Sequence, residues 1–97
     1  MSILLIDDRR NIVGAKLTAR NYKDAITALQ SNKWELVLLD HDLGDFQNNR
    51  EYTGYDILCW LEEHKERLPK RIVLVTDNPS ARQRMQLVID KLYTKQG

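Results

Sequence analysis

Three stretches of this chain are continuously apolar, and each runs straight into a polar, acid-rich segment. Ile3-Leu4-Leu5-Ile6 ends in Asp7-Asp8, Leu36-Val37-Leu38-Leu39 in Asp40-His41-Asp42, and Ile72-Val73-Leu74-Val75 in Thr76-Asp77-Asn78. A strand with one wet face alternates apolar and polar residues, whereas an unbroken apolar run suits a parallel strand buried on both faces. Parallel strands need crossover connections, and helical spacing lies between and after these runs. From Asn21 or Tyr22 to Ser31, Tyr22, Ala25, Ile26 and Leu29 form one stripe. Over 54–68, Ile57, Leu58, Leu61 and Leu68 do the same behind a Thr53 cap. Over 79–94, Pro79 suits a first turn, and Met85, Val88, Ile89 and Leu92 share a face. Residues 15–19 alternate weakly and read as an edge strand. The order β-β-α-β-α-β-α predicts a single α/β domain over residues 1–97, with a parallel sheet and right-handed crossovers.

Composition removes whole classes of function. With 42% hydrophobic and 30% charged residues, 4 Gly and 2 Pro, the chain is an ordinary globular domain, not a disordered or fibrous one. A net charge of +1 argues against broad electrostatic capture of DNA or of an anionic membrane. No apolar run nears the ~20 residues that span a bilayer, and no basic-then-apolar leader precedes the first strand. The one cysteine, Cys59, offers no intrachain disulfide or thiolate cage, which points to a reducing cytoplasm.

Open α/β sheets bind ligands beyond the carboxyl ends of their strands. Asp7, Asp8, Asp40, His41, Asp42, Thr76, Asp77 and Asn78 all fall there. Three gathered carboxylates repel one another unless a cation compensates, and all-oxygen donors of this kind suit Mg²⁺ or Mn²⁺. The alternative is that these acids cap the following helices or turns. His41, between two aspartates, is the one obvious proton-transfer group, and a neighbouring carboxylate would orient it. Arg9 and Arg10 follow the acidic pair, where an arginine fork would clamp phosphate or form a surface ion pair. Thr76 and Asn78, with the following helix N-terminus, would hold phosphate oxygens or simply build a turn. Residues 45–51 read as a polar, mobile loop placed as a lid or as a long connection. His64 falls on an exposed flank, and Trp34 and Trp60 read as core or interface residues.

With those residues laid out, the chain resembles the receiver domains of two-component signalling, and more narrowly the cyclic-phosphate-processing receiver-like family. Asp7-Asp8 with Arg10, Leu39-Asp40-His41-Asp42-Leu43-Gly44, Thr53-Gly54-Tyr55-Asp56, and Asn78-Pro79 with Arg84-Met85 follow that family's pattern in order. The resemblance implies a truncated receiver-like (flavodoxin-like) α/β fold of two or three layers. Its four-stranded parallel sheet would run in the order 2-1-3-4, without the first helix or the fifth strand. It also implies that Asp40 takes the phospho-acceptor position, that Asp7, Asp8 and Asp40 hold a divalent ion, and that His41 and Asp42 form the catalytic pair. Arg10, Thr53, Thr76 and Asn78 would bind phosphate. Relatives usually carry a His-Ser pair after the fourth strand, where this chain has Val75 and Thr76, so His41 would act without a second histidine.

The implied activity is cyclic-phosphate or phosphodiester processing of a nucleotide or RNA end. The alternatives are a phospho-accepting signalling receiver, or a non-catalytic adaptor or nucleotide binder such as a phage encodes. The two helices missing from the receiver plan would cover the same sheet face. The last helix folds across to that face, a second copy packs there, or both, and the favoured expectation is a homodimer.

Overall fold

All three apolar runs are strands in the computed structural model, which describes residues 1–94. The last three positions of the predicted domain lie outside the described residues. Strand β1 (Ile3–Ile6) is followed by β2 (Leu17–Ala19), α1 (Tyr22–Ser31) and β3 (Leu36–Leu39). A short pair, β4 (Asp45–Gln47) and β5 (Arg50–Tyr52), precedes α2 (Gly54–Glu63), β6 (Arg71–Leu74) and α3 (Pro79–Tyr93). The main sheet is parallel throughout and ordered β2-β1-β3-β6. Once the inserted β4–β5 pair is counted, this is the expected 2-1-3-4 order of a truncated receiver-like fold.

The direction of the crossovers decides what covers the sheet. From β2 to β3 and from β3 to β6 the chain steps one way across the sheet, and from β1 to β2 it steps the other way. Right-handed crossovers therefore put α1 and α2 on one face and residues 7–16, which carry no helix, on the opposite face. Helix α3 joins the first group. Its Ala81, Met85 and Ile89 share one core with Ala25, Ala28 and Leu29 of α1 and Ile57, Leu58 and Leu61 of α2. Leu4, Ile6, Val37, Leu39, Ile72 and Leu74 supply the sheet side of that core. The fold is thus two layers, and the last helix does not fold across.

The other face carries the row Ile3, Leu36 and Arg71 and the row Thr18, Leu5, Leu38 and Val73. Leu5 is fully buried, but Ile3, Leu36, Leu38 and Val73 are only half-buried. The unbroken apolar runs had implied burial on both faces, yet helices cover only one. Among the described residues, no helix is long and apolar enough to cross a membrane.

Local chemistry sets the helix ends. Asn21 caps α1 through Asp24 N–H, and a capping box of Thr53 and Asp56 starts α2. Pro79 opens α3 behind an Asn78 cap. Helix α2 stops at Glu63, earlier than the predicted 68, and a 3-10 turn (Lys65–Arg67) follows. His64 is the C-cap between them. It is half-buried and stacked on Trp60 at 4.1 Å, with Nδ1 2.8 Å from the Trp60 carbonyl, so it is not the exposed flank residue expected. Trp34 is a core residue whose indole N–H donates to the Ala28 carbonyl.

Residues 45–51 are not an irregular loop. Asn48 and Asn49 both have positive φ, 52° and 63°, as a two-residue hairpin turn demands, and β4 pairs antiparallel with β5. Asp45 Oδ2 accepts the Tyr22 N–H at 2.9 Å, and the Tyr22 and Tyr52 rings lie 4.8 Å apart. The hairpin is therefore docked on the N-terminus of α1.

Candidate functional site

Strands β1 and β3 are neighbours in register, so Asp7 and Asp40 leave the sheet side by side. Their carboxylates and that of Asp8 each place an oxygen in a group lying within 4.8 Å of one another. Asp7 has no exposed side-chain surface, Asp40 has 5% and Asp8 28%.

The chain partly neutralises this cluster itself. Asp7 Oδ1 accepts the Arg9 and Arg10 amides at 2.9 and 3.1 Å, which bends the chain back after β1. Arg10 Nη1 then lies 2.7 Å from Asp7 Oδ2 and 3.5 Å from Asp40 Oδ2, while Nη2 reaches Asp77 Oδ2 at 2.8 Å. One guanidinium thus touches acids from the ends of three strands. Arg20 fixes the loop beneath it by donating to the Arg10 carbonyl and to Asn11 Oδ1.

The two buried carboxyls are pushed in opposite directions. Burial alone would raise Asp7, but the Arg10 guanidinium and the two amides outweigh it and hold its carboxyl below the usual range. Burial, and then the Asp7 charge, push Asp40 upward against the His41 amide, Arg10 and the Thr76 hydroxyl. Asp8 Oδ1 is buried without a hydrogen-bond partner, with Arg9 Nε 3.9 Å away.

His41 stands at the rim. Its amide donates to Asp40 Oδ1 at 2.8 Å, its Nδ1 lies 2.8 Å from Asp42 Oδ1, and 14% of its side chain is exposed. Its carbonyl accepts the Gly54 N–H at 2.8 Å, which ties the start of α2 to the strand end. Two glycines make this packing possible. A Cβ on Gly54 would lie 2.0 Å from the Asp40 carbonyl oxygen, and Gly44, at φ +60°, sits where a Cβ would lie 3.3 Å from Asp8 Oδ2.

The structure gathers Asp7, Asp8, Arg10, Asp40, His41 and Thr76 at one sheet end. Thr76 is buried and its hydroxyl also accepts the Asn78 N–H. Thr53 and Asn78 have their side-chain oxygens engaged as helix caps, to Tyr55 N–H and Ala81 N–H. Sequence reading gave Arg20 no role, did not pair Asp77 with Arg10, and took the hairpin for a loop. Only the Asn48-Asn49 pair, a strong turn signal, could have revealed the hairpin.

An open parallel sheet with acids after its first and third strands and a hydroxyl after its last defines a receiver-like domain. A family model for the cyclic-phosphate processing receiver domain matches residues 2–91, and the chain belongs to that family. Comparison with curated proteins and with solved structures found no match.

Proposed function

We propose that this chain opens a cyclic phosphodiester on a nucleotide or an RNA end, with His41 as the proton-transfer group. The observation that carries the reading is the 2.8 Å contact of His41 Nδ1 with Asp42 Oδ1, made beside the acidic cluster. With the Nδ1 proton directed at Asp42, the Nε2 lone pair is left to take a proton. Nε2 removes a proton from water as the water oxygen bonds to phosphorus. The P–O bond to the departing ester oxygen breaks, and that oxygen takes the proton back from His41. The cyclic diester becomes a monoester, and a single histidine suffices because it acts first as base and then as acid. Asp42 is a positioning residue.

Asp7, Asp8 and Asp40 would hold Mg²⁺ or Mn²⁺. Three clustered carboxylates, one with a buried oxygen lacking a partner, are a donor set suited to a hard cation. Bound there, the ion would offset charge building on the phosphate oxygens. Arg10 would reach the same phosphate by turning Nη2 away from the exposed Asp77, and Thr76 by releasing its buried hydroxyl from Asp40 and the Asn78 N–H.

Phosphorus NMR with 2′,3′-cyclic nucleotides and Mg²⁺ or Mn²⁺ tests the reading. Turnover lost in His41→Ala, and slowed with an altered pH profile in Asp42→Asn, is the expected result. Line broadening without turnover would make the chain a nucleotide binder. Labelling of Asp40 by acetyl phosphate, lost in Asp40→Asn, would make it a phospho-accepting receiver. No effect of any kind would leave a protein-binding module.

A further inference from the structure

A groove of about 490 Å³ separates α1 from α2 beneath the β4–β5 hairpin, within the size range of small-molecule sites. Tyr22, Tyr52 and Trp60 line it, with Lys23, Gln30 and Gln47 among its polar groups. None of the three aromatic rings is fully buried. Tyr52 is already occupied on two sides, by Tyr22 at 4.8 Å and by the Arg50 guanidinium at 4.3 Å. Trp60 has His64 stacked on it at 4.1 Å and 15°. Tyr22 and Trp60 therefore each have one aromatic partner, and both also border the same open space.

We propose that this groove is a stacking site for a nucleobase, the base of the substrate whose phosphate is handled at His41. The proposal rests on the phosphodiester reading for the identity of that substrate. Aromatic faces bind any base through its π surface, and side-chain amides can meet the donors and acceptors on its edge. Gln30 makes no side-chain hydrogen bond among the described residues, and Gln47 uses only its NH₂, toward Asp45. Lys23 makes no ion pair among the described residues and adds a cation at the rim.

The groove is joined to the acidic pocket by the hairpin. Tyr52 precedes Gly54 by two residues, roughly 7 Å of extended chain, and Gly54 N–H bonds the His41 carbonyl at 2.8 Å. The strand that borders the groove thus leads within two residues to the segment bonded to His41.

The test is tryptophan fluorescence of the whole chain titrated with adenosine, guanosine, cytidine and uridine in EDTA, so that neither metal nor turnover contributes. Trp34 is buried in the core, and Trp60→Phe identifies the Trp60 share of the signal. Saturable quenching by at least one nucleoside is expected, kept in Tyr22→Phe and weakened about tenfold in Tyr22→Leu. No quenching, or equal affinity in Tyr22→Leu with its circular dichroism unchanged, overturns the proposal. The base-free diester bis(p-nitrophenyl) phosphate separates the two readings. Its turnover without nucleoside binding sinks the groove alone, and nucleoside binding without any phosphodiester turnover sinks the chemistry alone.

Discussion

Removing Arg10 tests how the acidic pocket is held together. In Arg10→Ala, Asp7 and Asp40 lose a guanidinium 2.7 and 3.5 Å away and face each other with little exposed surface. Breaking a fully buried ion pair costs about 3–5 kcal/mol. Arg10 keeps 30% of its side chain in solvent, and water and salt screen the contact, so a loss of about 1–2 kcal/mol is expected at pH 7.

The pH dependence carries the diagnosis. Asp7 has a lowered folded pKa, so it contributes stability above its unfolded value near 3.9, lost as the pH falls through the folded value. Asp40 has a raised folded pKa, so it weakens the fold above that value, and acidification relieves the penalty. Without Arg10 both carboxyls move upward. The deficit of the variant should be largest at neutral pH and shrink as the pH approaches the carboxylate range. Urea unfolding of wild type, Arg10→Ala and Arg10→Lys at a series of pH values in EDTA measures this. Arg10→Lys should recover part of the loss, because it restores the charge without the fork. A deficit that stays constant with pH would refute the argument and assign Arg10 a packing role only.

Two other expectations concern packing. Gly54→Ala forces a Cβ to within 2.0 Å of the Asp40 carbonyl oxygen, so α2 must shift at a cost of about 2–3 kcal/mol. A urea midpoint lowered by less than ~0.5 kcal/mol equivalent would mean that α2 starts farther from Asp40. On the helix-free sheet face, the half-buried Ile3, Leu36, Leu38 and Val73 form an apolar surface that a second copy would cover. Sedimentation at micromolar concentration should give a dimer that Leu38→Glu dissociates, and a compact wild-type monomer would end that expectation.

The sheet was legible because each of its main strands carries an unmistakable local signal, an apolar run closed by polar residues. The acidic pocket was legible for the same reason, since parallel strands in register deliver their carboxyl ends to one place. Thr53, Asn78 and Pro79 could be read as helix-start residues because capping is a local hydrogen-bonding preference. The hairpin was missed because its strands are three residues each and mostly polar. Its one signal is the Asn48-Asn49 turn, and tertiary docking through Asp45 and Tyr52 supplies the rest.

Sequence by itself determined the order of the main strands and helices, without the hairpin, and the identity of the acids at the carboxyl edge of the sheet. Those follow from periodicity and chain direction, which act over a few residues. Only the tertiary structure decided that α3 packs beside α2 and leaves one sheet face without helices, because helical stripes do not name the surface they bury. It also decided that Arg10 reaches acids from three strand ends and that Tyr22, Tyr52 and Trp60 share one groove. Such meetings depend on how distant segments are brought together, and no local spacing encodes them.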